Sequence, residues 1–261
     1  MIFESHAHYD DEGFDSDRVE LLSLMQKKNI GHIINVGSTL DASRRSIELA
    51  KEYDFIYAAI GIHPSDISCL EKEPDGMEWL FETAKKEKKV VSIGEIGLDY
   101  YWDKEEENHR LQRKVFLEQL EIARKLDLPV IIHSRDAAEE TFQIMKEAAA
   151  KGTKGVIHCY SYSPELAVEY VKLGYYIGVG GVVTFKNGKK LKETVKKIPL
   201  NRILTETDSP YMAPTPFRGM RNDSTYLPYI ISEIAKLREI TEAEVMEVTE
   251  KNAFELFTKV K

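Results

Sequence analysis

Residues 130–149 read Val-Ile-Ile-His-Ser-Arg-Asp-Ala-Ala-Glu-Glu-Thr-Phe-Gln-Ile-Met-Lys-Glu-Ala-Ala. A β-branched apolar run ends in His133, Asp136 stands where a helix N-cap belongs, and apolar residues then recur three and four apart. That is a strand, a short polar loop and an amphipathic helix, or one βα unit. Working outward, the same rhythm fills the chain. Strand candidates are Ile2 to Ser5, His32 to Val36, Phe55 to Ile60, Val90 to Gly94, Val130 to His133, Gly155 to His158, Tyr175 to Val179 and Ile203 to Glu206. Their near-continuous apolar character is that of parallel strands buried on both faces. Helical patterns cover Ser16 to Lys28, Leu40 to Glu52, Asn108 to Leu126, Asp136 to Ala149 and Pro164 to Lys172, and two more close the chain, Ser224 to Leu237 and Thr241 to Phe257. Asp41 and Asp136 are expected as N-caps, Pro164 as a first-turn proline and Gly174 as a helix stop.

About eight βα units in 261 residues predict a closed (β/α)8 TIM barrel rather than an open doubly wound sheet, as a single domain over residues 1–261. Hydrophobic residues make up 43% and charged residues 31%, so there is apolar material for a sizeable core. No apolar run approaches the roughly 20 residues of a membrane-spanning helix. Cys69 and Cys159 are too few for a disulfide framework and read as free thiols. The amino terminus lacks the basic and apolar regions of a secretory signal, which predicts a cytoplasmic protein with no membrane partner. The formal charge of −8 argues against a protein that coats nucleic acid, because the global field repels phosphate. Any nucleic-acid substrate must be held by local groups.

In such barrels chemistry sits at the carboxyl ends of the strands, and those positions are unusually polar here. The first strand ends in His6-Ala7-His8, the third leads to His63, the fourth to Glu95, the fifth to His133, the sixth to His158 and the eighth to Asp208. Residues two apart on a strand share a face, so His6 and His8 can hold one cation as a pair. A single histidine at a strand end is usually a hydrogen-bonded structural group. Burying this many imidazoles and carboxylates at one rim without a cation would instead leave several polar groups to be satisfied, at a cost of order kcal/mol apiece. The donor set suits zinc, manganese or iron better than calcium. Four histidines and two carboxylates exceed one tetrahedral site, so two divalent ions are expected (zinc, manganese or magnesium), with Glu95 able to bridge them. Such a pair activates water and stabilises the attacking and leaving oxygens of a phosphoester, and Asp208 could accept the water's proton. His32 and His109 lie outside this set and read as structural or solvent-facing.

The motifs Ser5-His6-Ala7-His8, Gly61-Ile62-His63-Pro64, Gly94-Glu95-Ile96-Gly97-Leu98-Asp99-Tyr100-Tyr101, His133-Ser134-Arg135 and Glu206-Thr207-Asp208-Ser209-Pro210-Tyr211 together resemble the TatD-related deoxyribonucleases, metal-dependent hydrolases with an amidohydrolase-like barrel. The resemblance spans nearly the whole chain. It implies a two-metal hydrolase of DNA phosphodiesters, commonly trimming single strands or 3′ ends. Carried over residue by residue, His6, His8, Glu95 and Asp208 would surround one ion, and Glu95, His133 and His158 the other. Glu95 and Asp208 would be catalytic. His63 would contact substrate phosphate, although the sequence alone does not separate that role from metal ligation. Two departures stand out. Glu4 occupies a place where the family usually has aspartate, and the Arg221-Asn222 motif continues to Asp223 instead of proline.

Tyr100 and Tyr101, with Trp102, place aromatic rings on the loop after the fourth strand, where they can stack nucleobases or pack beneath the loop. Arg135 and Arg221 are candidate phosphate grips, or partners of nearby carboxylates. Lys186, Lys189, Lys190 and Lys192 form a basic cluster that reads mainly as a solvated helix face. Rival barrel hydrolases that use a carbamylated lysine on strand four are disfavoured because Glu95 stands there. An ester-cleaving role such as aminoacyl-tRNA deacylation remains the alternative. A scaffold that has lost turnover is disfavoured by the full set of expected ligands. The oligomeric state is open, a monomer being one possibility.

Overall fold

The computed structural model describes residues 1–261. Strands β1 (Ile2–Ala7), β2 (Ile30–Val36), β3 (Ile56–Ile60), β4 (Val90–Asp99), β5 (Val130–Arg135), β6 (Gly155–Ile157), β7 (Tyr176–Val179) and β8 (Ile203–Thr205) alternate with helices α1 (Arg18–Leu24), α2 (Leu40–Glu52), α3 (Cys69–Lys72), α4 (Gly76–Lys86), α5 (Glu106–Leu126), α6 (Ala138–Ala150), α7 (Pro164–Lys172), α8 (Lys189–Lys197), α9 (Leu227–Arg238) and α10 (Glu242–Leu256). The strands follow one another in a single eight-stranded sheet, β1 to β8, and Ala7 bridges Ser209 in parallel just past β8. This is the (β/α)8 barrel. No helix is long and apolar enough to cross a membrane, and Cys69 and Cys159 are both free thiols.

The chain forms two compact units. In the first (Met1–Asn35 with Cys159–Glu255), β1 pairs with β2 through Phe3↔His32, and β7 with β8 from Ile177↔Ile203 to Val179↔Thr205. Ser5 Oγ donates to the Thr205 carbonyl at 3.0 Å. The His32 ring stacks on Phe3 and meets the edge of Phe254, so it is a structural group.

In the second unit (Val36–His158 with Leu256–Lys261), β4 runs ten residues, well beyond the expected Val90 to Gly94. It continues because it stays paired with β5 out to Gly97↔His133 and Asp99↔Arg135, which places Glu95 and Asp99 on one strand. Gly97 permits this. Its φ is +150°, and a Cβ there would lie 1.9 Å from the His133 carbonyl oxygen, so no other residue fits.

Two caps differ from expectation. The N-cap of α2 is Thr39, whose hydroxyl accepts from Ala42 N at 3.0 Å, while Asp41 sits in the first turn beside Arg45. Asp136 adopts a left-handed conformation (φ 53°) and helix α6 starts two residues later behind Ala137, which makes no side-chain cap bond. The expected helix from Ser16 to Lys28 is shorter, ending at Leu24 with a 3-10 turn over Gln26–Lys28. Pro164 does occupy the first turn of α7, capped by Ser163, and Gly174 follows that helix with φ +94°. Helix α4 was not marked by the sequence pattern.

Candidate metal centre

In the first unit, β1 delivers His6 fully buried, with His8 just beyond its end. The two Nε2 atoms face each other at 3.0 Å, and Asp208 Oδ1 lies 3.7 Å from His6 Nε2 and 3.5 Å from His8 Nε2. Asp208 is turned into place by a left-handed backbone (φ 58°) and by its own N–H donating to the His6 carbonyl at 3.0 Å. Donors about 2.0–2.2 Å from a tetrahedral ion stand roughly 3.3–3.6 Å apart, so the 3.0–3.7 Å spacing of these three atoms is close to that of a coordination shell.

Beneath them Glu4 is wholly buried. Its carboxylate accepts from Thr207 N (2.8 Å), Thr207 Oγ1 (2.7 Å), Ser224 Oγ (2.9 Å) and His6 N (3.2 Å). Burial pushes this carboxyl up to about 8 against the pull of those bonds. The Glu4 side chain reaches the main chain beside both His6 and Asp208, so it braces the backbone that carries them. The Asn222 side chain donates to the Thr207 and Tyr211 carbonyls (2.8 and 2.6 Å), bracing the same loop. Glu206, also buried, accepts from Cys159 N at 2.5 Å. Gly178 makes room for it, since a Cβ there would lie 2.4 Å from its carboxylate.

In the second unit Glu95 is 4% exposed. Its Oε1 lies 2.9 Å from His133 Nδ1, 2.8 Å from His158 Nε2 and 3.7 Å from His63 Nε2. Burial works to raise the Glu95 carboxyl, but the adjacent His158 and His63 rings and the bonds from His133 and His158 hold it well below the carboxylate range. Burial drives His63 down to about 3, so its ring is neutral at ordinary pH. For His133 burial works downward, yet bonds to Asp99 and Glu95 prevail and raise it. Within each of the triplets His6–His8–Asp208 and His63–Glu95–His133, one donor atom per residue lies within 4.8 Å of the others. Imidazole and carboxylate donors at this spacing fit a divalent cation of the zinc or manganese kind.

The remaining predicted residues have these places. Tyr100 is half-buried, its hydroxyl 2.6 Å from Glu140 and its ring stacked on His109 at 3.7 Å. Tyr101 and Trp102 are 43% and 70% exposed, and the Arg135 guanidinium lies 3.8 Å over the Tyr101 ring and 5.3 Å from that of Trp102. Arg221 forms a two-pronged pair with Asp17 (2.8 and 2.6 Å) and donates to the Gly13 carbonyl (2.7 Å). Lys192 pairs with Glu233 at 2.8 Å on α8. Asp99 was not singled out by sequence reasoning, although it lies in the Glu95 motif; its carboxylate sits 3.0 Å from His133 Nε2.

The family model described as TatD related DNase matches residues 3–258. The chain belongs to that family. It is 43% identical over 257 residues to the uncharacterized metal-dependent hydrolase YabD of Bacillus subtilis, covering 98% of this chain and 99% of that one. It is 33% identical to the metal-dependent hydrolase YcfH of Escherichia coli, covering 98% and 96%. The crystal structure of YjjV, a TatD homologue of Escherichia coli, superposes with a TM-score of 0.91 at 31% identity and covers 98% of both chains. A hydrolase of the TatD family from Entamoeba histolytica shares the fold at 23% identity and a TM-score of 0.86. The TatD-family chain is thus a metal-dependent hydrolase in the class of its relatives.

Proposed function

We propose that this TatD-family chain is a deoxyribonuclease that hydrolyses phosphodiester bonds in DNA, acting on single strands or 3′ ends in the 3′-to-5′ direction. In this reading His6, His8, Glu95 and Asp208 hold one divalent ion and Glu95, His133 and His158 a second. The observation that carries it is the meeting of His6, His8 and Asp208 donor atoms at 3.0–3.7 Å, beside a family match over nearly the whole chain. When bound, paired divalent ions supply an acidified water and charge neutralisation for the attacking and leaving oxygens.

The chain's own groups do the rest. Asp208, half-buried with an oxygen turned toward the imidazole pair, orients the water and accepts its proton. His63 accepts the Ser65 N–H at Nδ1 (3.1 Å), so its neutral ring carries the proton on Nε2. A protonated Nε2 donates a hydrogen bond and cannot ligate, which favours His63 as a donor to a phosphate oxygen. Arg135, Tyr101 and Trp102 form an exposed stacking and charge platform that grips a strand without reading its sequence.

The test is turnover of end-labelled single-stranded DNA against aminoacyl-tRNA, with magnesium, manganese and zinc supplied in turn. Release of mononucleotides from the 3′ end supports the proposal. Ester cleavage of the tRNA with DNA spared replaces it with the deacylase reading.

A further inference from the structure

Asp99 is 1% exposed and every part of it is engaged. Carboxylate Oδ2 lies 3.0 Å from His133 Nε2. Oδ1 accepts the main-chain N–H groups of Tyr101 and Trp102 at 2.9 and 3.1 Å. Its own main chain is held by the buried Gln112 of α5, whose Oε1 accepts from Asp99 N (2.9 Å) and whose Nε2 donates to Asp99 O (3.0 Å). The strand neighbour of Asp99 on β5 is Arg135, the residue that covers the Tyr101 ring. A carboxylate so placed orients a ligand from behind, in the way outer carboxylates fix the tautomer and angle of a ligating imidazole.

We propose that Asp99 is a positioning residue with two tasks: it turns the Nδ1 face of His133 toward Glu95, and it sets the turn that carries the exposed rings of Tyr101 and Trp102. This rests on the reading that His133 holds a cation. One oxygen serves each task, and both tasks require an acceptor. Asparagine cannot do both, because its amide nitrogen must oppose either the His133 Nε2–H or two main-chain N–H groups. The single conflict is the smaller, so in Asp99→Asn the turn survives. His133 then accepts at Nε2 and carries its proton on Nδ1, the nitrogen that faces Glu95. Asp99→Ala loses both functions.

The experiment uses the full chain with Trp79→Phe, which leaves Trp102 as the only tryptophan. Zinc is titrated into metal-free protein by calorimetry, and the local motion of Trp102 is read by time-resolved fluorescence anisotropy. Asp99→Asn is expected to weaken one zinc site about 10- to 100-fold while Trp102 anisotropy is kept. Asp99→Ala is expected to weaken that site and also lower the anisotropy. Wild-type zinc affinity in Asp99→Asn, or unchanged Trp102 motion in Asp99→Ala, overturns the assignment. Should either variant fail to fold, histidine nitrogen NMR of the unsubstituted zinc-loaded protein decides: a retained His133 Nε2 proton supports it, and coordination through Nε2, or no zinc at His133, overturns it. DNA cleavage enters none of these readouts, so a protein that binds zinc as described yet spares DNA overturns the nuclease reading alone.

Discussion

Replacing Asp208 by asparagine keeps the shape of the side chain and one donor oxygen while removing the base. If Asp208 accepts the proton of the attacking water, Asp208→Asn lowers kcat by about 10²–10⁴-fold, the usual worth of a positioned general base, with an unchanged circular dichroism melt; a variant within a few-fold of wild type removes Asp208 from that role. His63 gives a contrasting case. Since Ser65 N–H occupies its Nδ1 lone pair, His63→Ala is expected to retain every ion found in the wild-type protein by elemental analysis while kcat/KM falls about 10- to 100-fold; loss of one ion per chain would make His63 a ligand. At this scale the clustering of candidate donors was legible in the sequence because barrel chemistry is confined to the carboxyl-terminal side of the strands, and His6, His8, Glu95, His133 and His158 all stand in or just after the later part of a strand. Pairings made across the chain were not. Arg221 meets Asp17 204 residues away, and Tyr100 meets Glu140 forty residues away, and no local pattern announces either. Asp99 escaped for another reason: nothing in its neighbours shows that the strand runs on past Gly94.

Helix α5 shows how an element, beyond any single residue, builds the site. Gln112 and Gln119 lie seven apart, two helical turns, and so share a face. Each exchanges two hydrogen bonds with main chain: Gln112 with Asp99 (2.9 and 3.0 Å) and Gln119 with Ile62, the residue before His63 (2.7 and 3.1 Å). The helix thereby completes backbone pairing at the carboxyl ends of β3 and β4, where loops depart to carry functional side chains. Both glutamines are buried, so removing either leaves one main-chain donor and one acceptor unsatisfied. Gln119→Leu is expected to destabilise the protein by about 2–6 kcal/mol, at roughly 1–3 kcal/mol per orphaned buried group, read as a lowered urea midpoint at constant slope; a change below about 0.5 kcal/mol would show that water or a neighbour takes over. Sequence periodicity identified α5 as amphipathic but counted only its apolar residues. A buried glutamine on the apolar face looks like noise in that count, and its role appears only once the strand ends it serves are in place. The strand–helix alternation itself was plain, because parallel strands buried on both faces read as continuous apolar runs.

For the whole molecule the controlling quantity is charge. With 36 basic and 44 acidic residues the net is −8, so on the proposed nuclease reading a DNA strand would approach against the overall field and would have to be held by a few local cations. Several basic side chains that could serve are already committed: Arg221 to Asp17, Arg113 to Glu140, Arg124 to Glu121 and Lys192 to Glu233. Arg135 rests on aromatic rings and is exposed, as are Lys186, Lys189 and Lys190. Each phosphate neutralised on a single strand contributes about −0.7 to the slope of log K against log salt. Two or three such contacts give a slope of about −1.4 to −2.1, far shallower than for a protein with a basic groove. Measured at fixed divalent-ion concentration with the Asp208→Asn variant, so that the strand stays intact, binding should follow that shallow line, and Arg135→Ala should flatten it by about one contact. A slope steeper than about −5 would mean that the protein carries an extended cationic track, and that its acidic surplus is segregated away from the path of the strand.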